Sequence, residues 1–311
     1  MDEMNERVFT PVRGELKRTA KQFMRGKNPS PWLVVLAAIA LQNVLTLLQM
    51  QVTGLAQVLP QLMAAMERYS AGGDPDVFLE AYFTALGSAH PGFGGWLITI
   101  LLGLAALMIS TGLILFYIET VRTRKGGFGN LLDGLTKLPR VIGYNIMVFI
   151  FTLGWMMLPY LAMLALSFIS IAMNSLALLY VGMFVCWAAM IVILVLLEIR
   201  YSQGMYFLLT RPEVGILDCI TLSKQIMKPR KGEYFVLMLS FLGWSIGLYL
   251  MNLVLSMFGY LGVLLSLPLT AYVQMYKGFT YFLYHEAIQG RTYDPTQPLP
   301  PELPGDNGPQ Y

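Results

Sequence analysis

Histidine and cysteine are scarce, with two of each among 311 residues. His90 and His285 lie far apart, as do Cys186 and Cys219, so there is neither metal-ligand spacing nor a disulfide framework. No H-E-x-x-H, Walker A or dinucleotide-binding glycine pattern occurs. Charge is thin as well, 13% of residues against 56% hydrophobic. No Asp, Glu, Lys or Arg sits at the centre of a long apolar run, which removes the usual mark of a proton- or voltage-coupled transporter. These absences point to no cofactor, no metal, no nucleic-acid partner and no enzyme.

What is abundant is apolar sequence in runs near 20 residues, the length that crosses a hydrocarbon core about 30 Å thick. The expected fold is an all-α polytopic membrane bundle within residues 1–294. Six spans are expected, at about 32–52, 95–118, 141–168, 176–197, 234–256 and 260–283. An outer loop, 53–94, carries two amphipathic pieces near Leu55–Tyr69 and Val77–Leu86. Residues 1–9 are expected to be mobile, and the Pro-rich tail 295–311 to be disordered and cytoplasmic.

The spans form three hairpins, each preceded by a cytoplasmic amphipathic helix and a proline stop. The first such helix opens at Thr10-Pro11 and ends before Pro29 and Pro31. Val12, Leu16, Thr19, Ala20 and Phe23 form its apolar face. The second holds Leu131, Leu132, Leu135 and Leu138, and Pro139 stops it. The third begins with capping-box spacing at Thr210 and Glu213. It groups Ile216, Cys219, Ile220, Ser223, Ile226 and Met227 on one face, with Leu222 as an outlier, and stops at Pro229. KQFMR at 21–25 matches KQIMK at 224–228, and FTLGW at 151–155 matches SFLGW at 240–244. Every Lys and Arg except Arg68 falls on one side of this map, with Lys277 snorkelling from within the sixth span. The bias predicts both termini inside.

Two sets of candidate residues follow. Lys17, Arg18, Lys21, Arg25, Lys224, Lys228, Arg230 and Lys231 are placed to dock on the anionic inner leaflet or on a protein partner in a membrane complex. Gln42, Asn43, Ser110, Thr111, Ser245 and Gln274 lie near mid-span and should turn into the bundle, as hydrogen-bonding pairs or as the wall of a solute cavity. Ser245 also centres a G-x-S-x-G string, Gly243 to Gly247. Such a serine needs a base, and His285 lies about 22 Å from its helix centre, so the glycines are read as sites of close helix contact.

The strings ELKRTAKQFMRG and IRYSQGMYFLLTRPEVGILDCITLSKQIMKPRKGEYFVLMLSFLGW resemble the bacterial, mostly Firmicutes, membrane proteins called domain of unknown function 975. The family pattern often has Gly where this chain has Pro229. The resemblance implies a six-span protein of the bacterial cytoplasmic membrane and no established activity. A weaker likeness, in layout only, is to the membrane region attached to some glycerophosphodiester phosphodiesterases. The chain reads first as a non-enzymatic scaffold or accessory subunit binding lipid or a transport or envelope complex. The alternative is a small transporter of a hydrophobic or amphiphilic solute.

Overall fold

A computed structural model describes residues 12–25, 30–72, 75–88, 92–173 and 175–293, which are helical without a strand. Several expectations lie outside the described residues: the mobile 1–9 segment, the helix opening at Thr10-Pro11, the stop at Pro29, and the tail 295–311. The order is α1 (Arg13–Phe23), α2 (Pro31–Val52), α3 (Leu55–Ser70), α4 (Pro75–Ser88), α5 (Phe93–Arg122) and α6 (Gly129–Ala172). Then come α7 (Leu176–Tyr201), α8 (Gly204–Thr210), α9 (Ile216–Met227), α10 (Lys231–Leu239), α11 (Leu242–Leu255) and α12 (Tyr260–Ala287).

Five stretches are long and apolar enough to cross a bilayer: Pro31–Val52, Phe93–Arg122, Gly129–Ser170, Ala177–Thr210 and Lys231–Phe258. The expected sixth segment, 260–283, lies within the single helix α12, but Gln274 and Lys277 make it more polar and it stands outside that set. The two pieces of the 53–94 loop are α3 and α4, packed on each other, with Gly54 at φ +74° turning the chain from α2 into α3. Among the other pairs, α2 packs on α5, α5 on α6, α6 on α7, α11 on α12, and α1 and α2 on α12.

Local expectations differ from the structure at four places. Pro139 does not stop a helix, because α6 runs 44 residues through both Pro139 and Pro159. A proline removes one backbone bond, to the carbonyl four residues earlier. Leu135 and Pro139 are both exposed, so that carbonyl lies on the outer side of the helix. The capping box at Thr210 and Glu213 does not form either. Thr210 ends α8, its hydroxyl donates to Tyr206 O at 2.7 Å, and α9 starts at Ile216 with Gly215 as N-cap. The fifth span is not one helix but α10 and α11, broken at Ser240-Phe241. Finally, Gly243 and Gly247 do not serve close helix contact, since an added Cβ would meet nothing within 4 Å at either.

The buried core gathers at the end of the bundle that carries α1, α8, α9 and the last turns of α5, α7 and α12. Phe116, Phe241, Phe279, Phe282 and Tyr284 are its largest fully buried rings. Towards the other end, α5, α6, α7 and α11 present rows of exposed Leu, Ile, Val and Phe. That distribution suits helices whose outer faces meet lipid tails, where leaving apolar surface uncovered carries no cost.

Candidate functional site

The basic end is built by seating two helices, α1 and α9, on aromatic rings. α1 buries Leu16, Ala20 and Phe23, and Phe23 stacks on Phe279 of α12 at 6.0 Å. Lys17 Nζ lies 4.5 Å over the Phe241 ring, Lys21 Nζ 5.5 Å over Tyr276, and the Arg124 guanidinium 4.5 Å over Phe23. α9 buries Cys219, Ile220, Ser223 and Met227. Its Ser223 hydroxyl donates to Arg200 O at 2.9 Å and accepts from the Gln203 N–H at 3.3 Å. Lys224 Nζ lies 4.7 Å over Phe151 and 5.7 Å over Tyr201. Each such cation–ring contact is worth about 0.5–1 kcal/mol at a partly exposed site. Burial, then the charges of Arg13 and Lys21, lowers the pKa of Lys17; burial, then Arg200, lowers that of Lys224.

The eight docking candidates thus divide. Lys17 and Lys224 are half-buried against rings, and Arg230 is half-buried with Nη1 donating to Ile226 O at 3.3 Å. Arg18, Lys21, Arg25, Lys228 and Lys231 are exposed. Among the described residues the ion pairs are Arg122–Glu286 at 2.7 Å and Arg291–Glu286 at 3.7 Å, so none of the eight has a carboxylate partner.

Beneath this surface runs a buried polar chain that the sequence reading missed. Arg211 Nη2 donates to Gln289 Oε1 at 2.9 Å. Arginine has donors only, so this contact turns the Gln289 amide to point its Nε2 at His285 Nε2, 2.8 Å away. That ring nitrogen accepts, so His285 Nδ1 carries the proton and donates to Gln203 Oε1 at 3.0 Å. Gln203 Nε2 passes the chain to Ser202 Oγ at 3.0 Å. Gln203, His285 and Glu286 are fully buried, walled by Tyr206, Phe207 and Phe282 around the imidazole. Burial and then the charges of Arg122, Arg211 and Arg291 hold the His285 pKa well below its ordinary value, which keeps the ring neutral. The detectable signal was polar His285 and Glu286 in the aromatic last turn of α12, with Gln289 just past it, four residues from His285.

The mid-span candidates do not form one cluster. Gln42 Nε2 donates to Ser110 Oγ across α2 and α5 at 2.9 Å. Asn43 and Thr111 turn back to carbonyls of their own helices, Ile39 and Leu107. Gln274 is exposed. Ser245 donates to Phe241 O at 3.1 Å and accepts from Lys277 Nζ at 2.8 Å. Among the described residues no group of three His, Cys, Asp or Glu is placed to hold a metal.

The profile of a family described as Protein of unknown function (DUF975) matches residues 11–292. No curated protein and no solved structure matches the chain.

Proposed function

The chain belongs to the DUF975 family of unknown function, and on that premise we propose that it is a non-enzymatic membrane scaffold or accessory subunit. It crosses the bacterial cytoplasmic membrane as six spans in three hairpins, with 260–283 as the sixth and both termini inside. Its basic end docks on the anionic inner leaflet or on a protein of a membrane complex.

One observation carries this reading: α1 and α9 are fixed to the bundle by their apolar faces and aromatic contacts, and along α1 and just past the ends of both helices Arg18, Lys21, Arg25, Lys228 and Lys231 are exposed, with no acidic partner among the described residues. A rigid array loses little entropy on docking, and each basic residue near an anionic leaflet contributes about 1 kcal/mol. The solute-transporter reading draws less support, because the mid-span polar groups fall into the separate pairs Gln42–Ser110 and Ser245–Lys277.

Charge reversal at Arg18, Arg25, Lys228 and Lys231 tests the proposal. Native mass spectrometry of gently extracted protein should show a stoichiometric partner or retained anionic lipid for the parent chain. The reversed variant, still helical and monodisperse, should lose it. A variant that keeps its partner and lipid would overturn the reading. A reporter fused at residue 72 should be found outside the cell, and a cytoplasmic signal would overturn the topology.

A further inference from the structure

Phe241 joins three segments that do not adjoin in sequence. Its backbone lies in the break between α10, ending at Leu239, and α11, starting at Leu242. Lys17 of α1 lies over its ring, and the same ammonium reaches Ser240 O at 3.4 Å. The ring meets Tyr276 of α12 edge-on at 5.1 Å, and Tyr276 in turn carries Lys21 over its face. The Phe241 carbonyl accepts from Ser245, whose hydroxyl accepts from Lys277. Three ammonium groups from α1 and α12 are thereby tied to the short stretch Ser240–Ser245, and among the described residues none is in an ion pair.

We propose that Lys17, Lys21 and Lys277, with the Ser240–Ser245 stretch, form a binding site for the phosphate of an anionic phospholipid. The proposal rests on the reading that this end faces the inner leaflet, and it names the lipid contact made there.

The chemistry of the three lysines argues for an anion. An ammonium has three N–H donors, and the structure gives Lys277 one hydrogen-bond acceptor, Ser245 Oγ. A charge in the membrane-embedded part of a helix is costly unless it is neutralised, and a phosphate would neutralise it. Lys17 sits in a surplus of positive charge, its pKa lowered by burial and by Arg13 and Lys21, and a bound anion relieves that repulsion.

The surroundings select a lipid over free phosphate. Leu242 and Trp244 lie within the stretch and are exposed, so an acyl chain has an apolar surface to lie on. Exposed Gln274, one turn before Lys277 on α12, offers an amide on the same face of that helix. A tryptophan in this position suits the headgroup boundary.

The test uses the full chain in nanodiscs of phosphatidylcholine containing phosphatidylglycerol, read by native mass spectrometry. The parent protein should retain phosphatidylglycerol one-to-one after delipidation. Lys17→Ala/Lys21→Ala/Lys277→Met should weaken retention about a hundredfold, from about fivefold per lysine. Lys17→Arg/Lys21→Arg should keep it, and Lys125→Ala should match the parent. Millimolar inorganic phosphate should not displace the lipid. Retention unchanged in the triple variant, no retention by the parent, or equal displacement by inorganic phosphate would each overturn the site. Loss of lipid in the lysine variants while the protein partner stays bound would support the site on its own. Survival of this lipid in the charge-reversed variant of the previous section, with its partner lost, would separate the two proposals.

Discussion

His285 Nδ1 donates to Gln203 Oε1 at 3.0 Å, fastening the end of α12 to the α7–α8 junction 82 residues earlier. Both residues are completely buried, and Arg211, through Gln289, fixes which ring nitrogen carries the proton.

Removing either partner leaves the other unsatisfied in the core. Gln203→Leu or His285→Leu should each lower unfolding free energy by about 1–3 kcal/mol, and the double substitution should cost less than the sum. Thermal unfolding in detergent measures the cycle. The pH dependence has a definite sign. The folded pKa of His285 lies well below 6.5, so below that pH the unfolded chain takes a proton that the folded one refuses. Stability should fall as pH drops from 6.5 toward the folded value, and His285→Gln should remove that share of the slope.

Gly112 and Gly134 set how closely α5 and α6 approach. A Cβ on Gly112 would stand 2.5 Å from Leu131 Cα and O, and one on Gly134 would collide with Met108 O. These are backbone atoms that cannot swing aside. Gly112→Val and Gly134→Val should each cost about 1–3 kcal/mol. Gly154→Ala, with nothing within 4 Å, should stay within about 0.5 kcal/mol of the parent in the same melts.

Cys219 should be chemically silent in the folded protein. It is fully buried on the inner face of α9, and burial first, then Asp218 and Glu213, pushes its thiol up against the opposing pull of Arg140 and Arg211. A raised pKa means less thiolate at any given pH. In a Cys186→Ser background, maleimide labelling at pH 8 should run at least about tenfold slower than for a free cysteine and should accelerate on unfolding. Fast labelling of the native protein would contradict the placement of α9.

Much of the helix map was legible because it follows from periodicity. Helices stand near both amphipathic pieces of the 53–94 loop, at Leu55–Ser70 and Pro75–Ser88. Between the segments expected at 234–256 and 260–283 the chain turns at Gly259, at φ +56°, where a side chain would be strained. The four residues that α9 buries all come from the face grouped by helical spacing. Pro139 was over-read as a stop, since it is carried inside one helix whose ends are held by neighbours. Ser245 was judged against a histidine, and the polar partner it has is Lys277, 32 positions away.

The sequence by itself determined where the chain is apolar enough to cross a bilayer, and how its cations are spread between those stretches. Those are sums over single residues, and lipid and leaflet charge act on them one at a time. Tertiary structure alone decided the pairings: Arg122 with Glu286, Arg211 with Gln289, His285 with Gln203, and Lys277 with Ser245. Each joins elements far apart in the chain, and hydrogen bonds and ion pairs act over about 3–4 Å. Spacing along a helix carries no information about which distant side chain arrives within that range.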